Sequence, residues 1–180
     1  MIRKNSDGKF PSLHKTAYID PTATIIGNVK IGKNVFVGPG AVVRADETNS
    51  SITVKENCNI QDRVIIHALE NSSVLIDKNT SLAHGCIIHG PCKIGKNCFV
   101  GFGSVIFKSR LADGVVIKHL AVVEGVVISK SCLVTNGMII NSQDKVKQLK
   151  SISKPLKEFC QRIIKTNLKL KRGYLKNATQ

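Results

Sequence analysis

The sequence predicts an all-β fold: a parallel β-helix of triangular cross-section, followed by one C-terminal α-helix. Three observations carry this. Branched apolar residues recur every six positions. A mostly small residue follows each of them by four. The period changes near residue 143 to that of an amphipathic helix.

The six-residue period starts with Ile19, Ile25, Ile31, Val37 and Val43. It continues as Val54, Ile60 and Ile66, and then as Ile76, Leu82, Ile88, Ile94, Val100 and Ile106. All fourteen are Ile, Leu or Val, which excludes a chance of composition. A third frame holds Leu111, Ile117 and Val123, then Ile128 and Val134. Six residues fit neither the helical 3.6 nor simple strand alternation. They fit short strands joined by tight turns, three strands to an 18-residue coil. Successive coils stack through parallel ladders about 4.8 Å apart.

The small positions include Ala23, Ala41, Cys58, Cys86, Cys92, Cys98, Ala121 and Cys132. Five of the six cysteines therefore face inward as compact hydrophobes, and Cys160 lies outside the repeat. No C-x-x-C pair occurs, and Met1 to Phe10 holds no apolar signal region, so free thiols in a reducing cytoplasm are expected. No run of 18 apolar residues exists, so no membrane span is expected.

Residues 1–142 form the expected β-helix with a short lead-in, and 143–180 a helix packed on it. Ser153 suits a cap and Pro155 a first turn, while Leu156, Phe159, Cys160, Ile163, Ile164 and Leu170 make an apolar stripe. The chain has 27 Lys and Arg against 12 Asp and Glu, a formal charge of +15. Residues 143–180 hold 11 of those cations and 2 of the acids, so this segment carries nine of the fifteen net charges. A solvated outer face accounts for it, and so does attraction to an acidic surface; loss of binding at moderate salt marks nonspecific charge. Aromatics are only 4% and Trp is absent, so no specific nucleic-acid partner is expected.

The register assigns faces. With Ile76 on face A, Leu82 falls on B and Ile88 on C. Val43 and Ile66 join C, Val54 joins A, and Ile60 joins B. The 11-residue step from Val43 to Val54 and the 10-residue step from Ile66 to Ile76 are then outward loops of five and four extra residues. The position after the anchor on face C stacks Arg44, His67, His89 and Phe107. The second position after the anchor on face B stacks Asp62, His84 and Phe102. His14 and His119 match no column with these. Two stacked outward imidazoles suit one metal, with bonds of about 2.0–2.1 Å for zinc. His84 points from another side; if three prisms pack side by side, face C of one copy meets face B of the next and His84 of the neighbour completes the site, which suggests a trimer, the alternative being that these are ordinary surface histidines. Arg44 is read as an ion-pair former with Asp46 or Asp62. The two loops carry Glu47 and Glu70, solvated by default or able to move protons.

The segments Arg44-Ala45-Asp46-Glu47, Asn59-Ile60-Gln61-Asp62, His67-Ala68-Leu69-Glu70, Ser81-Leu82-Ala83-His84, His89-Gly90-Pro91 and Val105-Ile106-Phe107-Lys108-Ser109 resemble the gamma-class carbonic anhydrases over about residues 15–150. The resemblance implies a left-handed β-helix and a homotrimer holding zinc, or iron or cobalt in some members. It implies His67 and His89 as metal ligands from one subunit and His84 from the next. Gln61 then holds the hydroxide or bicarbonate at the metal. Arg44 and Asp62 form an interface ion pair, Asn59 lies beside the site, and Asp46 supports it. Glu47 is the acid at the active site, Glu70 shuttles protons, and Phe107 helps hold the carbon dioxide. The implied reaction is reversible hydration of carbon dioxide to bicarbonate. Two other functions share the repeat: a hexapeptide acyltransferase using acyl-coenzyme A, and a trimeric scaffold without catalysis.

Overall fold

The computed structural model describes residues 1–177, so the last three residues of the expected 143–180 segment lie outside the described residues. Three parallel sheets run the length of a solenoid of about seven turns. Face C has eight strands, from Ile2–Arg3 through Val42–Ala45, Ile65–His67, Ile87–His89 and Val105–Phe107 to Ile139–Ile140. Face A has seven, from Ser12–Leu13 to Val127–Ile128. Face B runs from Tyr18–Ile19 through Asn59–Ile60, Ser81–Leu82 and Phe99–Val100 to Cys132–Val134, where Lys150–Ser151 adds an antiparallel edge.

The anchors form the core. Ile25, Ile60, Ile66, Ile76, Leu82, Ile88, Ile94 and Ile106 are fully buried and pack in one continuous cluster along the axis. Cys58, Cys86, Cys92 and Cys98 are buried among them, while Cys132 is only half-buried; all six cysteines are free. Burial pushes the thiols of Cys58, Cys86 and Cys98 up to about 12.

One corner of the prism takes a left-handed residue in successive coils, Asn in four of them and then Gly114 and Ser131. Asn34, Asn57, Asn79 and Asn97 have φ between +56° and +59°. Their amides stack as a ladder, Asn34 Nδ2 donating to Asn57 Oδ1 at 3.2 Å and Asn57 Nδ2 to Asn79 Oδ1 at 3.1 Å.

The two inserted loops stack on one another. Asn71 N–H donates to Thr48 O at 2.9 Å, and Asn49 Nδ2 to Asn71 Oδ1 at 2.9 Å. They project from the end of the face C strands that carries Arg44 and His67.

After the last coil come a short helix Gln143–Lys147, the Lys150–Ser151 edge, and the long helix Lys154–Asn177. The long helix lies on face B. Leu156, Cys160 and Ile163 pack on Ala83, Phe99 and Val116, while Tyr174 stacks on Tyr18 with ring centroids 4.9 Å apart. The expected stripe is offset: Phe159 and Leu170 are exposed on its flank. Lys171 is buried instead, donating to Thr16 O and Asn34 Oδ1, each at 3.1 Å. Among the described residues, no helix is long and apolar enough to cross a membrane.

Candidate metal centre between faces C and B

The strands Ile65–His67 and Ile87–His89 are neighbours, and their ladder pairs His67 with His89. Each histidine follows an inward isoleucine, so strand alternation turns both imidazoles outward. The same ladder pairs His67 with Arg44 and His89 with Phe107, as the hexad register predicts, and then runs on to Glu124. The two imidazoles meet edge to face, with centroids 4.9 Å apart. His67 Nδ1 lies 3.1 Å from His89 Nε2, and Phe107 closes the far side of His89 at 5.3 Å. The other nitrogen of His67, Nε2, faces charge: Glu47 Oε1 at 3.3 Å, Asp46 Oδ1 at 3.4 Å and an Arg44 guanidinium nitrogen at 3.3 Å. Arg44 Nε pairs with Asp46 Oδ1 at 3.2 Å, so within one chain its partner is Asp46 and not Asp62. Glu47 Oε2 accepts the backbone N–H of Glu70 at 2.6 Å. The loop stack thus brings the Glu47 carboxylate to His67 and leaves the Glu70 residue exposed.

Face B carries the third histidine. His84 Nδ1 lies 3.3 Å from Asp62 Oδ2, and the His84 side chain is 51% exposed. Gly38 gives that carboxylate its room, since a Cβ there would stand 2.8 Å from Asp62 Oδ1. The column continues beyond the expected members: Phe102 lies against His84 at 5.5 Å and stacks on His119 at 4.3 Å. Placing His119 outside every column is therefore wrong. The 106-to-111 step is one residue short, yet Ile117 still falls on face B under Val100, which puts His119 under Phe102. Gln61 donates its amide to Asn59 Oδ1 at 2.6 Å and to Asn167 Oδ1 of the long helix at 3.0 Å. Asn167 is a site neighbour the sequence reading missed; its signal was a polar residue in line with Leu156, Cys160 and Ile163.

This chain is 34% identical over 168 residues to the carbonic anhydrase of Methanosarcina thermophila, covering 83% of this chain and 68% of that protein. The chain belongs to the gamma-class carbonic anhydrase family. The model of the bacterial transferase hexapeptide family (six repeats) matches residues 10–45 and 73–108, the regular coils on either side of the two loops. The carboxysome assembly protein CcmM of a Nostoc species is 35% identical over 173 residues; the match takes in 91% of this chain but only 31% of CcmM, so the chain spans about a third of that relative's length. A solved hexapeptide transferase family protein from Anaplasma phagocytophilum superposes with a TM-score of 0.82 at 28% identity, over 97% of this chain and 98% of that one.

The residues fit a metal of this carbonic anhydrase family in two respects. First, a tetrahedral ion with nitrogen bonds of about 2.0–2.1 Å holds two ligand atoms about 3.3 Å apart, close to the observed His67–His89 separation. Second, ligating imidazoles commonly give their other nitrogen to a carboxylate. His67 has Glu47 and Asp46 there, and His84 has Asp62. His89 differs, for its Nδ1 is buried without a hydrogen-bond partner. Among the described residues, no three His, Cys, Asp or Glu side chains converge on one point within a chain.

Proposed function

We propose that this chain assembles as a homotrimer and reversibly hydrates carbon dioxide to bicarbonate at sites shared by neighbouring copies. The observation that carries the reading is the division of the three imidazoles, two in register on face C and one outward on face B. Beside the His67 column, face C presents an outward aliphatic ladder of Val42, Ile65, Ile87, Val105, Val122 and Ile139. Ile65 is 40% and Ile139 56% exposed in one chain, which suits burial against a second copy. His67 and His89 of one copy and His84 of the next would hold the metal, zinc in the first instance, with iron or cobalt as substitutes. When bound, such an ion supplies the Lewis acidity that brings a water's pKa toward neutrality, the behaviour for which carbonic anhydrase is itself the standard example.

The chain's own groups do the rest. Glu47 and Asp46 hold the His67 ring with Nδ1 toward His89. Arg44 keeps those carboxylates from facing each other unscreened, and across the interface it would meet Asp62. Gln61, fixed by Asn59 and Asn167, presents its amide to the reacting oxygen. Phe107 offers an apolar wall to carbon dioxide. Glu70, on the exposed loop, passes the released proton to buffer, with Glu47 between it and the site.

Metal analysis of anaerobically purified protein, native mass measurement and stopped-flow hydration test this together. A metal-loaded trimer that hydrates carbon dioxide supports it. The similarity to CcmM favours a second reading, a scaffold without catalysis, and a loaded but inactive trimer would select that. Acyl transfer, suggested by the hexapeptide transferase family likeness, would show as coenzyme A binding without metal.

A further inference from the structure

The residues one place before the face B anchors form an outward column that the long helix covers. Five of its members are apolar or aromatic: Tyr18, Phe36, Phe99, Val116 and Leu133, each next in the chain to the anchors Ile19, Val37, Val100, Ile117 and Val134. The exceptions are Asn59 and Ser81, adjacent in the ladder at mid-column. Ser81 is 2% exposed, and its hydroxyl has no hydrogen-bond partner. A buried, unpaired hydroxyl costs stability and calls for an occupant.

It opens into a groove of about 560 Å³ between face B and the helix. That is room for about 18 waters at ~30 Å³ each, far beyond the three atoms of carbon dioxide. Phe99, Phe102 and Phe159 supply apolar wall, the last two exposed in part toward the groove mouth. Lys118 and Arg162 line it as well, and among its described lining residues there is no carboxylate. A trough with phenylalanine walls and a buried unpaired donor, in which Lys118 and Arg162 are the lining cations and no carboxylate opposes them, selects an anion with an apolar body.

We propose that this groove binds an amphipathic monocarboxylate, its carboxylate accepting from Ser81 on the Lys118–Arg162 side and its chain lying on Phe99, Phe102 and Phe159. The groove shares Gln61 and His84 with the proposed catalytic site, but the inference does not rest on catalysis.

Calorimetric titration of the full, assembled protein with formate, butyrate, hexanoate, hexylamine and hexanol tests it. The carboxylates are expected to bind saturably, about fourfold tighter per added methylene, with hexylamine and hexanol silent. Ser81→Ala is expected to weaken hexanoate about fivefold or more. Arg162→Gln changes an exposed residue, so it carries the test if Ser81→Ala fails to fold; it too is expected to weaken hexanoate. No heat with hexanoate, equal binding of hexylamine, or unchanged affinity in both variants would overturn the proposal. Hexanoate binding without carbon dioxide hydration would leave it standing and sink only the proposed reaction.

Discussion

His67 Nδ1 and His89 Nε2 lie 3.1 Å apart on adjacent coils whose ladder pairs the two residues directly. Two nitrogen lone pairs at that separation repel. The arrangement is stable only with a proton or a cation between them, and Glu47 and Asp46 stand at the opposite nitrogen of His67.

Removing one imidazole should release the metal. His89→Ala is expected to lose bound metal and hydration together, while the trimer persists on its aliphatic ladder. Metal content by mass spectrometry and stopped-flow rates on the same sample check this; activity without metal would refute it.

Shared sites can be tested by mixing. His84→Ala and His89→Ala should each be inactive alone. Co-refolded in equal amounts, they should regain about a quarter of wild-type sites, because one interface in four then combines an intact His89 with an intact His84. No recovery would show that the ligands do not come from different copies.

The loop acids separate by buffer dependence. Glu70→Ala should keep its metal and slow turnover about tenfold in weak buffer, with recovery in concentrated imidazole. Glu47→Ala should also loosen His67, so added buffer should not restore it fully. Equal behaviour of the two variants would remove the distinction.

The core thiols set a limit at high pH. Cys58, Cys86 and Cys98 are pushed up to about 12 in the folded chain, above an ordinary thiol value near 9. Below pH 9 both states keep these protons, and the thiols add no pH dependence. Between 9 and 12 the unfolded chain loses them first, so stability falls by about 1.4 kcal/mol per pH unit for each thiol. Urea midpoints measured from pH 8 to 10.5 should show the fall, and Cys86→Ala should make it shallower by one thiol's share.

Lys171 pins the far end of the long helix through Thr16 O and Asn34 Oδ1. Lys171→Ala should leave those acceptors unpaired, cost about 1–3 kcal/mol, and raise hydrogen exchange in the last turns of the helix while sparing the coils. Unchanged exchange there would mean the helix is held by its Tyr174 stack alone.

The hexad spacing by itself determined the solenoid, the inward anchors and the column that stacks Arg44, His67, His89 and Phe107. One residue per rung meets one residue on the next, so counting along the chain is equivalent to measuring along the sheet. It also placed His84 on a different face from His67 and His89. The count lapsed where the coils shorten after Ile106, and His119 was lost from its column there. Only the tertiary structure decided that Asp46 pairs with Arg44, that Glu47 reaches His67, and that the helix sets Asn167 over Gln61 while leaving Ser81 unpaired. Those contacts join segments of unrelated spacing: loop against strand, and helix against sheet 106 residues away in the case of Gln61 and Asn167. Their geometry follows from packing between elements, which no period within one element encodes.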